Sequence, residues 1–188
     1  EHTRKLLGRT TPDPRMRDVE LLVRFLSFRK FLPNYRGRMK EFLDDVCQKL
    51  TDSWLQSRPA VEADLVEFNS AVDALIEIFG QDELARKPGS KSFNRAIFDV
   101  LVFYAADAVI RAAMTAHPKA VNELYAQLMN DIGFAEAVES DTAGIPHTFE
   151  RLSKWGTGLR EKLQVQFNTP ELIQRDDGTA RIAFDGFR

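Results

Sequence analysis

Cysteine is nearly absent from this 188-residue chain: Cys47 is the only one, so no internal disulfide can form and a reducing compartment is expected. Set among Phe42, Leu43, Val46 and Leu50, it reads as a small buried apolar side chain. Long apolar runs are missing too. No stretch approaches the roughly 20 residues that span a bilayer, and no signal-peptide pattern is present, so a cytoplasmic protein with no membrane partner is expected. The first residue is Glu1, not Met, and the start shown is expected to lie downstream of the gene's own start.

Recognisable catalytic and metal patterns are absent as well. The three histidines, His2, His117 and His147, are isolated from one another, and no His-x3-His, Glu-x-x-His or Cys-x-x-Cys spacing occurs. That excludes the common zinc and di-iron helix patterns, and no metal is expected. There is no Gly-x-Ser-x-Gly elbow, no Glu-x-Lys nuclease element and no clustered-His nuclease pattern, so no catalytic residue is assigned. Gly89-Ser90-Lys91-Ser92 precedes a predicted helix and would suit an anion, but it lacks the Walker spacing because Leu84 stands where the first Gly should be. A plain capping loop is the favoured reading.

What is present is helical periodicity. Hydrophobic residues make up 44% and charged residues 29%, an ordinary globular balance, and the length suits one domain. Asp13-Pro14 offers a cap and a first-turn proline for a helix that Pro33-Asn34 ends. Along it Met16, Val19, Leu22, Val23 and Leu26 form one apolar stripe, and Leu21, Phe25, Phe28 and Leu32 a second, which predicts burial on most sides. A second helix is predicted near 36–55, with Met39, Phe42, Leu43, Val46 and Leu50 on one face. A third starts around Pro59, repeats Val61, Leu65, Phe68, Val72, Leu75 and Phe79, and stops at Gly80.

After a polar loop over 81–91, residues Phe93 to Met114 are apolar on two faces and predict one central helix. His117-Pro118 opens another that ends near Gly133. A turn at Asp141-Thr142-Ala143-Gly144 leads to the last, carrying Phe149, Leu152, Leu159 and Leu163, where Gly156 and Gly158 predict a kink or a close helix approach. Beyond Pro170, Leu172-Ile173 and Ile182-Ala183-Phe184 flank Asp177-Gly178 as a hairpin or a frayed tail. The expected fold is all-α: a bundle of about six helices over 13–166, a connecting segment over 1–12, and a C-terminal tail or hairpin over 167–188.

Charge is unevenly spread. Residues 1–40 hold 11 Lys/Arg against 4 Asp/Glu, a balance of +7, and since the whole chain is at -2 the remainder carries -9. Such asymmetry points either to an anionic partner such as DNA, with Arg4, Lys5, Arg9, Arg36, Arg38 and Lys40 as phosphate contacts, or to packing of the basic segment on an acidic surface. On the predicted central helix, Asp99 and Asp107 each have an Arg one turn away, Arg95 and Arg111, which predicts local structural pairs. In the first helix Arg17, Glu20, Arg24 and Ser27 share one narrow stripe within an otherwise apolar surface. Because unpaired buried charge is costly, an Arg17–Glu20–Arg24 ladder facing an interface is predicted.

Three blocks go further. Arg15-Met16-Arg17-Asp18-Val19-Glu20-Leu21-Leu22-Val23-Arg24-Phe25-Leu26, followed by Tyr35 and Met39-Lys40-Glu41-Phe42-Leu43, resembles the helical part of the GmrSD-type restriction endonuclease N-terminal family, which is marked by a DGQQR motif. Phe93-Asn94-Arg95-Ala96-Ile97-Phe98-Asp99 is similar to that family's later Asn/Phe-Asp helix, and Thr142 with Phe149-Glu150-Arg151-Leu152 to its last one. The resemblance implies a prokaryotic defence protein in which a ParB/sulfiredoxin-like domain precedes these helices and nucleotide-dependent chemistry controls a nuclease effector. This chain has no DGQQR, and Asp177-Gly178-Thr179 and Asp185-Gly186-Phe187 do not match it. It is therefore expected to be a scaffold and regulatory portion that needs no cofactor of its own, partnered by the domain that carries the motif. The sequence also admits a DNA-binding module, or a subunit whose active site another chain completes.

Overall fold

The computed structural model describes residues 2–187. Its helices are α1 (His2–Leu6), α2 (Arg17–Phe31), α3 (Met39–Asp52), α4 (Trp54–Phe79), α5 (Arg95–Ala105), α6 (Ala108–Ala116), α7 (Pro118–Met129), α8 (Ile132–Glu139) and α9 (Ile145–Leu163). A 3-10 turn, Leu32–Asn34, follows α2, and a hairpin of β1 (Glu171–Gln174) and β2 (Ala180–Ala183) follows α9. The all-α class is as expected, with nine helices among the described residues rather than about six.

Helix α5 forms the centre of the bundle because it is apolar nearly all round: every residue from Ala96 to Ala106 is buried, Asp99 being the one charged residue among them. It packs against α2, α4, α6 and α9. Burying its Ile97, Phe98, Leu101, Phe103 and Tyr104 side chains contributes on the order of 2 kcal/mol each before the entropy of ordering them is charged. From α2 the stripe Leu21, Phe25, Phe28 and Leu32 is fully enclosed, whereas Met16 and Val19 of the other predicted stripe are exposed. Helix α4 buries Val61, Phe68, Val72 and Leu75 on the face its spacing predicts.

Several expectations on element boundaries are corrected. Phe93 to Met114 is not one helix: Asp107 turns extended (ψ 130°) and its Oδ1 accepts the Val109 and Ile110 N–H groups at 3.0 Å each, capping α6. The helix predicted to run to Gly133 stops at Met129, because Asp131 caps the separate α8 through the Phe134 N–H at 2.8 Å. Asp13-Pro14 does not cap α2, which begins at Arg17. Asp13 instead closes a turn, accepting the Arg15 N–H at 2.8 Å, and Met16 takes a left-handed φ of 52°.

Residues expected to connect include α1, whose Leu6 is fully enclosed and whose main-chain carbonyl accepts from Arg86 Nη2 at 2.8 Å. Helix α4 starts a turn before Pro59, which costs it the bond to the Leu55 carbonyl on an exposed stretch. Cys47 is exposed, not buried, because one residue beyond Val46 the surface of α3 has rotated about 100° toward solvent.

Helix α9 runs unbroken through Gly156 and Gly158, and the close approach is what the structure contains. A Cβ at Gly156 would meet the Tyr104 ring (Cζ 2.6 Å), whose hydroxyl donates to the Leu152 carbonyl at 2.8 Å. The hairpin forms across Asp177-Gly178 with Leu172 opposite Ile182. Ile182 is enclosed in the core, and the following Phe184 and Phe187 rings lie 5.1 and 5.2 Å from Phe103.

Candidate functional site

Two of the polar residues threaded through α2 meet the start of α5. Arg24, almost fully enclosed, donates Nε to Asp99 Oδ1 at 3.0 Å and Nη2 to Asp99 Oδ2, a two-pronged pair. Burial opposes the Arg24 charge, but the attraction and hydrogen bonds of Asp99 outweigh it and hold the guanidinium above its ordinary pKa. Glu20 lies half-buried between two guanidinium groups, its Oε1 3.7 Å from Arg24 Nη1 and 3.5 Å from Arg95 Nε.

These pairings replace the ones expected. Asp99 binds Arg24 rather than Arg95, and Arg95 turns to Glu20. Glu20 does bridge two arginines, but they are Arg24 and Arg95; Arg17 leaves the ladder for Asp13 at 2.7 Å. Asp107 is spent as a cap, and Arg111 reaches Glu67 at 3.0 Å and the Ala105 carbonyl at 2.9 Å. Ser27 Oγ donates to the Val23 carbonyl. For Asp99 the physical reason is burial: an enclosed carboxylate gains more from the enclosed Arg24 guanidinium than from the more exposed Arg95 one turn along.

Arg24 and Glu20 form one wall of a cleft of about 400 Å³. The loop of Ser90 and Ser92 with the first residues of α5 forms a second wall, and Val138, Glu139 and Thr142 a third. Asn94 organises the junction, its Oδ1 accepting the Ile97 N–H at 3.1 Å while its Nδ2 donates to the Val138 carbonyl at 2.8 Å. A Lys87–Glu139 ion pair spans part of the rim. Gly89-Ser90-Lys91-Ser92 thus borders this cleft, though α5 begins only at Arg95.

Behind the Thr142 wall lies Arg151, 1% exposed, a residue the pairing rules did not single out. Its Nη1 donates to the Thr142 carbonyl at 2.9 Å while Nη2 has no hydrogen-bond partner. Burial pushes its pKa down to about 10; Asp99 pulls the other way, and Arg24 adds to the lowering. Tyr35 closes the same region by donating to the Ala143 carbonyl at 2.5 Å, and burial raises its pKa. No local pattern in the sequence singles out either residue.

The candidate nucleic-acid contacts do not assemble into one free basic face. Arg4 binds Asp18 at 2.8 Å and Arg9 binds Asp13 at 3.0 Å. Arg38 lies 3.3 Å from Glu41 and Lys40 3.9 Å from Asp44. Arg36 donates to the Pro33 and Tyr35 carbonyls, and Lys5 is exposed on α1.

Among the described residues no group of three or more His, Cys, Asp or Glu side chains is placed to hold a metal, and no helix is long and apolar enough to cross a membrane. Comparisons with family models, curated proteins and solved structures find no match to this chain.

Proposed function

We propose that this chain is the helical scaffold and regulatory portion of a prokaryotic, restriction-type anti-phage defence protein, working in the cytoplasm. It would brace a nucleotide-dependent domain bearing the DGQQR motif and pass that domain's state to a nuclease effector. One observation supports this above others: the three blocks that carry the resemblance, far apart in sequence, share one cleft. Glu20 and Arg24 come from the first, Phe93 to Ala96 from the second and Thr142 from the third. The same blocks also supply core residues, but at this cleft they bring charged side chains together, as a seam between communicating parts would.

The pairing of Arg4 with Asp18 and of Arg9 with Asp13, both carboxylates being buried, favours this reading over a DNA-binding module. Reconstitution tests it. The 188-residue chain is mixed with, or fused behind, a DGQQR-bearing domain from the same genome, and nucleotide hydrolysis and restriction of phage growth are measured for each part and for the pair. Activity confined to the pair is expected. Hydrolysis or DNA cleavage by this chain alone would overturn the scaffold role, and failure to associate with any such domain would overturn the bracing role.

A further inference from the structure

The cleft between α2, the start of α5 and the α8–α9 turn holds more donors than its own acceptors satisfy. Arg24 is matched by Asp99, but Arg95 is not matched in the same way. Its Nε is shielded from water and makes no hydrogen bond, because Glu20 stands 3.5 Å away without the geometry for one. Glu20 is equally remote from Arg24, at 3.7 Å. A single carboxylate therefore hangs between two guanidinium groups, close enough for an ion pair with each but hydrogen-bonded to neither.

The surrounding charge has the same sign. Lys87 and Glu139 cancel each other, leaving Arg24, Arg95 and the enclosed Arg151 against Glu20 and Asp99, an excess of one positive charge. Arg151 has no carboxylate partner, and its Nη2 is an orphaned donor in a side chain that is 1% exposed. An isolated guanidinium at that depth is expensive, and a further anion nearby lowers the cost. The start of α5 adds two more donors. Asn94 caps the Ile97 N–H, so the amides of Arg95 and Ala96, which precede it, have no acceptor within the helix. The Ser90 and Ser92 side chains complete that wall.

We propose that this cleft binds a phosphoryl oxyanion on Arg95, the first amides of α5 and Ser92, and that Glu20 is the internal carboxylate the ligand displaces. A phosphoryl group is favoured over a carboxylate because it offers three oxygens to donors that arrive from a guanidinium, a helix start and a hydroxyl. A volume of about 400 Å³ holds it together with a substituent. Displacement of Glu20 leaves Arg24 on Asp99, so the ligand would tie α5 to the loop before it and release the Glu20 link to α2.

The test is an amide NMR titration of the 188-residue chain with inorganic phosphate, phenyl phosphate and acetate in turn. Ionic strength is held constant and the pH kept near 8, well above a phosphate monoester pKa of about 6. Saturable shifts centred on Ser92, Arg95 and Ala96 are expected with the phosphates. Tighter binding of phenyl phosphate identifies an ester as the ligand, and tighter binding of inorganic phosphate the free ion; either supports the site. Glu20→Gln, which removes the competing charge, is expected to tighten binding several-fold. Arg95→Gln is expected to weaken it about tenfold, with an otherwise unchanged spectrum because this side chain is 41% exposed. Shifts that never saturate, that persist unchanged in Arg95→Gln, or that acetate reproduces at equal concentration would overturn the proposal.

Discussion

Arg24 and Asp99 stand 75 residues apart in sequence and meet in a buried, two-pronged ion pair that fastens α2 to the centre of the bundle. Few polar contacts among the described residues are enclosed on both sides. Its energetic character follows from burial. Each partner is costly to desolvate alone, and each makes the other tolerable.

Breaking the pair from one side is therefore expected to cost much more than removing it. Asp99→Asn leaves a guanidinium enclosed without its counter-charge, and a loss of about 3–5 kcal/mol in urea unfolding is expected. In Arg24→Met/Asp99→Leu no charge is left to desolvate, and most of that loss should be recovered. A double variant as unstable as the sum of the two single ones would show that the pair acts only through packing.

Gly156 and Gly158 separate two kinds of close approach. A methyl group at Gly156 strikes the Tyr104 ring, which is fixed by its hydrogen bond to Leu152 and enclosed on all sides. Gly156→Ala is expected to destabilise by about 1–3 kcal/mol despite the better helix propensity of Ala. At Gly158 the obstacle is the end of the Leu124 side chain, which can change rotamer, so Gly158→Ala should fall within about 1 kcal/mol of the parent. Thermal unfolding of the two variants decides the order, and a larger loss at Gly158 would contradict it.

How far the fold could be read from sequence depends on the range of the forces involved. The buried face of α4 was legible because Val61, Phe68, Val72 and Leu75 follow a local period. The break at Asp107 was not, since the apolar pattern of α5 runs straight into α6 and an Asp can be read either as a cap or as an ion-pair partner. Cys47 was misplaced by its apolar sequence neighbours, which a helix sends to other faces. The candidate site was half legible: a charged stripe on α2 announced that Arg24 and Glu20 needed partners, but nothing local could name Asp99 or bring up Arg151. Those pairings are decided by burial, which exists only once the chain has folded.

Acid should loosen the turn before α2. Burial alone would raise the Asp13 pKa, but the Arg15 N–H, the Arg17 hydrogen bond and the Arg17 and Arg9 charges outweigh it and hold the carboxyl below its ordinary 3.8. Asp18 is lowered mainly by its hydrogen bond from Arg4, and Asp131 by that from Lys154. With folded values below unfolded ones, their stabilisation is complete above the unfolded pKa and is lost as the pH falls through the folded values. Melting temperature should therefore be flat near neutrality and drop below about pH 4. Asp13→Asn should melt lower than the parent at neutral pH and converge with it in acid; a constant gap across the range would exclude the linkage.

The N-terminal residues give the sharpest contrast between composition and structure. The segment HTRKL looks like solvated linker, with one apolar residue among charges, yet that residue, Leu6, is fully enclosed. Two polar contacts hold α1 in register: Arg4 to Asp18 of α2, and Arg86 to the Leu6 carbonyl. If α1 belongs to the cooperative unit, Leu6→Ala should cost about 2–5 kcal/mol, as for any buried leucine. Leu55→Ala, at a position 93% exposed, should stay within about 0.5 kcal/mol. Both are read from urea unfolding with the slope compared to the parent, because an α1 that merely docks would reduce the slope as well as the midpoint when it detaches. Equal, small losses at the two leucines would return residues 2–6 to the role of a connecting segment.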